Sequence, residues 1–273
     1  MQRNGITMKI TFLGTGGARF VTIMQIRATG GWILWLDGEM IHVDPGPGAL
    51  VRAKEYGVNL RKLTGIAISH AHPDHTTDAQ VVLEAMTEGA LKKKGVVIGN
   101  ELVFKGSDEF VPVFSNYHMR TIERHEIMEP GKKASIGKVS VEAVAAKHSE
   151  PKCLGYVFSG EGMKVGYTAD GEYYQGQEKH FKGCDYLLIN CHRPRDSPLK
   201  GYMDSEGARK LIEAAKPGAA ILTHFGMRMI RGVAEREARW IEDKTGIKTI
   251  AARDGMVIDS EAKKGRGLDK FLI

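Results

Sequence analysis

His70-Ala71-His72-Pro73-Asp74-His75 places three imidazoles and a carboxylate within six residues, directly after the apolar run Gly65-Ile66-Ala67-Ile68-Ser69. The run reads as a short buried strand, so the cluster sits where a strand ends and a loop begins. Neutral imidazole nitrogen and carboxylate oxygen suit zinc and its first-row neighbours. Histidines also cap loops or bond to one another. Packing this many titratable groups together without a cation, however, costs repulsion and desolvation. The cluster therefore points to a metal.

Outward from the cluster, other strand-like segments also deliver polar residues. Residues 139–144 alternate as a strand and lead to Lys147-His148. Residues 154–158 and 164–167 form a hairpin across Ser159-Gly160-Glu161-Gly162, and its second strand leads to Asp170. Residues 186–189 and 219–222 read as buried strands, and the second delivers His224. In the first half, 8–13 is a strand, and 32–36 and 40–43 form a hairpin at Asp37-Gly38. Helices are expected over 49–56, over 78–91 with Val81, Val82, Ala85 and Met86 on one face, over 205–215 behind Asp204, and over 229–244. Short strands at 247–250 and 256–258 end the pattern. Two blocks of strands flanked by helices imply an α/β fold with two facing sheets and helices outside. Strand ends on one edge of such a sandwich can converge.

A chain of 273 residues buries one large core or two small ones. With no linker and no repeat, 1–273 reads as a single domain, and 261–273, with Lys263, Lys264 and Arg266 between glycines, as a mobile tail. No apolar run approaches the roughly 20 residues that span a membrane. The first residues lack a signal peptide's apolar region. Three cysteines, Cys153, Cys184 and Cys191, without paired spacing fit a reducing cytoplasm. The net charge of +6 favours an anionic substrate; a nucleic-acid polymer is compatible with it but not required.

With His148, Asp170 and His224 added, His70-x-His72-x-Asp74-His75 resembles the motif series of the metallo-β-lactamase superfamily. Leu13-Gly14-Thr15-Gly16-Gly17 and Val43-Asp44-Pro45-Gly46 match its opening strand motifs. The resemblance runs from about Met8 to His224. It implies a four-layer αββα sandwich with a dinuclear metal site between the sheets. By that resemblance His70, His72 and His148 hold one metal, Asp74, His75 and His224 hold the other, and Asp170 bridges them. The two divalent ions would be zinc, with manganese and iron accepted by the same donors. Two such cations about 3.5–4 Å apart can share a water, making a bridging hydroxide available as nucleophile. Asp74 is counted with the catalytic residues as well as the ligands. Asp44 either shapes the Pro45-Gly46 turn or orients a ligand imidazole, and the second role is favoured. Gly14 to Gly17 reads as a close backbone approach beneath the site, with no helix following. Redox relatives place Glu where His72 stands, so the histidine points to hydrolysis.

Within the superfamily the chain looks nearest to the ribonuclease Z-like and phosphodiesterase branch. It departs from ribonuclease Z in carrying Asn190-Cys191-His192-Arg193-Pro194 where that enzyme has a His-Glu-Ala-Thr box, so transfer-RNA processing is not expected. His192, following a buried strand, is expected to donate a proton to the leaving group or bind substrate phosphate, with Arg193 or Arg195 pairing to an anion. His42 reads as a core histidine and Asp78 as a helix N-cap. The expectation is a cytoplasmic metal-dependent hydrolase of a phosphodiester in a small anionic or nucleotide-like molecule, with a homodimer implied by the resemblance. Hydrolysis of a lactone, thioester or other acyl bond is the enzyme alternative. A nucleic-acid-binding member with vestigial catalysis is the other, against which the intact ligand series argues.

Overall fold

Side-chain alternation along the strands sorts this chain into layers. The computed structural model describes residues 8–260, and the expected mobile tail lies outside them. The chain first lays down β1 (Met8–Phe12), β2 (Trp32–Leu36), β3 (Glu39–Val43), β4 (Gly65–Ala67), β5 (Val96–Gly99) and β6 (Arg124–Ile127). It then crosses to β7 (Lys133–Ile136), β8 (Val139–Ala145), β9 (Leu154–Gly160), β10 (Met163–Tyr167), β11 (Tyr186–Arg193), β12 (Met203–Asp204), β13 (Ala219–Thr223) and β14 (Thr249–Ala251). Finally β15 (Val257–Asp259) returns to pair with β1. One sheet runs β15-β1-β2-β3-β4-β5-β6; the other runs β14-β13-β11-β10-β9-β8-β7, with β12 beside β11.

Between the sheets lies a core of Ile10, Phe12, Leu34 and Val43 from the first and Val141, Tyr156, Phe158, Leu188 and Ile221 from the second. The intervening residues face outward under helices. Ile33, Ile66 and Val97 meet the helices Ala49–Glu55 and Ala79–Met86, while Leu187, Ile189 and Leu222 meet Ser205–Ala215 and Val233–Thr245. Strands covered on both faces read as continuous apolar runs for this reason. The result is the four-layer αββα sandwich.

Strand direction sets where the polar residues go. β1 and β3 are each antiparallel to β2, and β4 and β5 run parallel to β3, so all four end at one edge. In the second sheet β8 and β10 are each antiparallel to β9, and β11 and β13 run parallel to β10. Their ends share an edge as well.

Local chemistry explains the elements and the departures from expectation. Asp37 (φ 52°) and Gly38 (φ 85°) both take the positive φ that a tight two-residue hairpin turn needs. Asp204 accepts from the Gly207 amide at 2.7 Å and starts its helix. The helix expected over 78–91 stops at Met86, because Thr87 bonds back to the Leu83 carbonyl and Glu88 and Ala90 turn left-handed; Val81 is left exposed. Asp78 sits at the N-cap position of that helix but spends its carboxylate on the Leu50 amide, in the first turn of the neighbouring helix. A helix, Ala18–Met24, follows the glycine turn where none was expected. β11 extends to Arg193, so His192 lies within a strand and not after it. Among the described residues no helix is long and apolar enough to cross a membrane.

His42 is fully buried, with Nε2 donating to the Gly30 carbonyl at 2.8 Å, and burial pushes its pKa from 6.5 to about 4. The unfolded chain therefore takes up a proton below pH 6.5 that the folded chain refuses until about pH 4. Stability from this group is present above 6.5 and lost as pH falls through that window, a swing of about 3 kcal/mol. Urea unfolding of wild type and His42→Gln at pH 7 and pH 4 is expected to show the variant losing less stability on acidification, by about that amount.

Candidate metal centre

Each donor stands at a strand end on the shared edge. β4 delivers His70 after Ser69, and a single helical turn, Pro73–Thr76, carries Asp74 and His75. β8 leads to His148, β10 to Asp170 and β13 to His224. Asp44 (φ 52°), Ala169 (φ 54°) and His224 (φ 57°) hold left-handed backbone at these ends, a conformation that costs non-glycine residues about 1–2 kcal/mol and is found where geometry is functional. Gly17 lies so close to His224 that a β-carbon there would overlap its ring. The glycine turn thus supplies the close approach expected of it, tied down by the Phe225 amide donating to Thr15 O at 2.8 Å.

The seven residues expected as ligands all meet here. Their donor atoms form three overlapping groups, each within 4.8 Å: His70, His72 and His148; His70, His75 and Asp170; Asp74, His75 and His224. His72 Nδ1 lies 2.9 Å from His70 Nε2 and 3.2 Å from His148 Nε2. His75 Nε2 lies 3.1 Å from His224 Nε2 and 3.7 Å from Asp74 Oδ2. Asp170 stands between the two, with Oδ2 at 3.6 Å from His75 Nε2 and 3.8 Å from His148 Nε2, and Oδ1 at 3.3 Å from His224 Nδ1.

The far nitrogen of three imidazoles is already engaged. His70 Nδ1 donates to Ser69 Oγ (2.9 Å), His75 Nδ1 to Asp44 Oδ2 (2.9 Å) and His148 Nδ1 to the Gly201 carbonyl (2.9 Å). In the neutral rings their near nitrogens present lone pairs that converge, an arrangement a cation satisfies. Electrostatics say the same. Burial would raise Asp74 and Asp170, yet the neighbouring imidazoles hold both well below the usual carboxylate range. Burial would lower His75, but Asp74, Asp170 and Asp44 hold it well above 6.5. Burial and the neighbouring histidines keep His70 and His72 low and uncharged. A buried cluster of carboxylates that draws positive charge onto its own ligands fits a divalent cation.

Support for the donors comes partly from residues the sequence did not single out. Asp44, the expected orienting residue, accepts the Ser69 amide (2.7 Å), Ser69 Oγ (2.8 Å), His75 Nδ1 and Tyr167 OH (2.6 Å). Asn190 donates to Asp170 Oδ1 at 2.8 Å. Tyr156 and Tyr167, both from the second sheet, reach across the core to the Ile68 carbonyl and to Asp44 in the first. Glu150, buried in the His148 loop, accepts from the Ala71 amide (3.0 Å), Asn100 Nδ2 (3.0 Å) and the Lys152 amide (2.8 Å). It clamps the two histidine loops together. Its only sequence signal was its place two residues after His148. Glu150→Ala leaves the buried Ala71 amide without an acceptor and takes one partner from Asn100, and a loss of about 3 kcal/mol in denaturant unfolding is expected, with Glu150→Gln losing less.

His192 is buried against Tyr202, ring centroids 4.5 Å apart, and its ring lies 6.4 Å from that of His224; it is outside the donor groups. Burial and His224 push its pKa to about 4. Arg195 pairs with Glu237 and stacks on Trp240 at 4.4 Å, committed to the helix Val233–Thr245 and not to an anion. A cleft of about 520 Å³ opens onto the centre, lined by Arg19, Phe20, Ile23, His72, Asp74, Asp170 and Tyr202 among others. Arg19, not Arg193, is the cation on its wall.

Comparison with known proteins agrees with the fold. An uncharacterized protein of Methanocaldococcus jannaschii is 36% identical over 254 residues, covering 92% of this chain and 95% of that one. Ribonuclease Z of Methanosarcina mazei is 28% identical over 156 residues, covering 55% of this chain and 47% of that enzyme. Among solved structures, the metallo-beta-lactamase fold protein YhfI from Bacillus subtilis superposes with a TM-score of 0.78 at 20% identity, over 93% of this chain and all of that one. A diphosphatase of the PhnP family gives a TM-score of 0.68 at 17% identity, covering 93% and 97%. Residues 39–225, which contain every donor of the centre, match the beta-lactamase superfamily domain, and the chain belongs to that superfamily.

Proposed function

We propose that this chain is a metal-dependent hydrolase that cleaves a phosphodiester in a small anionic substrate. The observation that carries the reading is the convergence of seven donors in overlapping groups with Asp170 between them. His70, His72 and His148 would hold one divalent cation, Asp74, His75 and His224 a second, with Asp170 shared; zinc, manganese and iron all suit these donors. Such cations supply a water of lowered pKa and polarise a phosphoryl group.

The rest is done by the chain. Asp44 fixes His75 directly and His70 through Ser69, so both would turn Nε2 toward a bound cation. The Gly201 carbonyl does the same for His148, and Asn190 holds Asp170 in place. Asp74 is steadied by the Ala18 amide at 2.8 Å. With a pKa near 4, His192 is neutral at pH 7, so its use is as a hydrogen-bonding partner of a phosphoryl oxygen and not as an imidazolium acid. Arg19, on the wall of the cleft, is the cation placed to pair with a phosphoryl oxygen. Superfamily membership and the named ribonuclease Z and diphosphatase similarities support hydrolysis at phosphorus. The three buried, unpaired cysteines support a reducing compartment, the cytoplasm.

The test is turnover of bis-p-nitrophenyl phosphate beside a panel of lactones and thioesters. Phosphodiester turnover that is lost on chelation and regained with added metal is expected. Robust acyl turnover with a silent phosphodiester would overturn the reading.

A further inference from the structure

The helix Ala18–Met24 presents an apolar face beside the centre. Phe20 is 64% exposed and Ile23 73%, although both line the cleft. Large apolar side chains held open to water beside polar catalytic groups mark a binding surface. The helix is not a loose flap. Its first amide donates to Asp74 Oδ2, and Val21 on its inner face is buried. Its position is therefore fixed relative to the donors. At about 520 Å³ the cleft has the size of a small-molecule site.

The lining divides by chemistry. His72, Asp74 and Asp170 form the reacting floor, Phe20 and Ile23 form an apolar wall, and Tyr202 adds a second ring from the other half of the sandwich. Arg19, which makes no ion pair among the described residues, adds a cation at the rim. A bare phosphate would leave the wall facing water. A phosphate ester with a planar apolar substituent covers it, because rings stack favourably on aromatic side chains.

We propose that Phe20 and Ile23 form the specificity wall of this site, holding a planar apolar group, aryl or nucleobase, esterified to the phosphate bound on the donors. The inference rests on the phosphodiester reading and names its substrate class. It is tested by calorimetric titration of metal-loaded protein with phenyl phosphate and methyl phosphate, beside turnover of bis-p-nitrophenyl phosphate. Wild type is expected to prefer phenyl phosphate. Phe20→Ala is expected to weaken phenyl phosphate about five- to tenfold, leave methyl phosphate unchanged, and be rescued by Phe20→Trp. Equal changes for both ligands, or none, overturn the wall. A change in oligomeric state on Phe20→Ala with both affinities unchanged assigns the face to a second copy and also overturns it. Selective loss of phenyl phosphate with silent phosphodiester turnover upholds the wall and sinks only the phosphodiester reading.

Discussion

Asp170→Asn is expected to reduce bound metal from two ions toward one per chain and to lower phosphodiester turnover by about 10³-fold or more. Asp170 is buried, and its two oxygens reach toward His75, His148 and His224 at 3.3–3.8 Å. No other carboxylate among the described residues stands between both donor groups. Asn keeps the volume and one oxygen but removes the negative charge that would offset repulsion between two bound cations. Metal analysis of the dialysed, reloaded variant reads the stoichiometry, and far-ultraviolet circular dichroism checks that the fold persists. Full metal content with wild-type turnover would rule Asp170 out as the shared ligand.

Asp44→Ala is expected to destabilise the metal-free protein by about 3–5 kcal/mol, because it leaves the Ser69 amide, His75 Nδ1 and the Tyr167 hydroxyl proton buried without an acceptor. It is also expected to weaken metal binding by about 10–100-fold, since His70 and His75 lose the partner that fixes their tautomers. Asp44→Asn separates the effects. Asn tolerates the left-handed backbone at φ 52° and keeps one acceptor oxygen. It should recover much of the stability, while its amide, a donor facing His75 Nδ1, leaves metal affinity low. Urea unfolding of the metal-free form and a metal titration read the two quantities. Unchanged affinity in both variants would reduce Asp44 to a turn residue.

The fold was legible because each buried strand is a short apolar run closed by a residue of chemical consequence, so Ile66 to His70 and Ala219 to His224 announce both the sheet and its active edge. The helix Ala18–Met24 escaped because Phe20, Ile23 and Met24 are exposed, leaving no buried stripe at helical spacing to read. The helix after Asp78 was drawn too long because its end is set by Thr87 bonding backward, not by a glycine or proline. Donors are legible as residue types; their supports are not. Glu150, Asn190 and Tyr167 are ordinary residues until tertiary packing brings them to Ala71, Asp170 and Asp44. Arg195 shows the converse, a charge near the right strand that packing commits to Glu237.

Tyr156 and Tyr167 act as crossbars between the sheets, directly beneath the donors. The spacing between the histidines of one sheet and those of the other is thereby a property of the core. The segments that line the cleft, such as Ala18–Met24 and the stretch carrying Tyr202, attach outside those crossbars. Their outward side chains, Phe20, Ile23 and Tyr202, can be exchanged while the Ala18 amide and the Gly201 carbonyl keep their bonds to Asp74 and His148. Evolution can thus retune what such a scaffold cleaves while its reactive machinery stays in register, and an engineer can graft new walls onto it by the same rule.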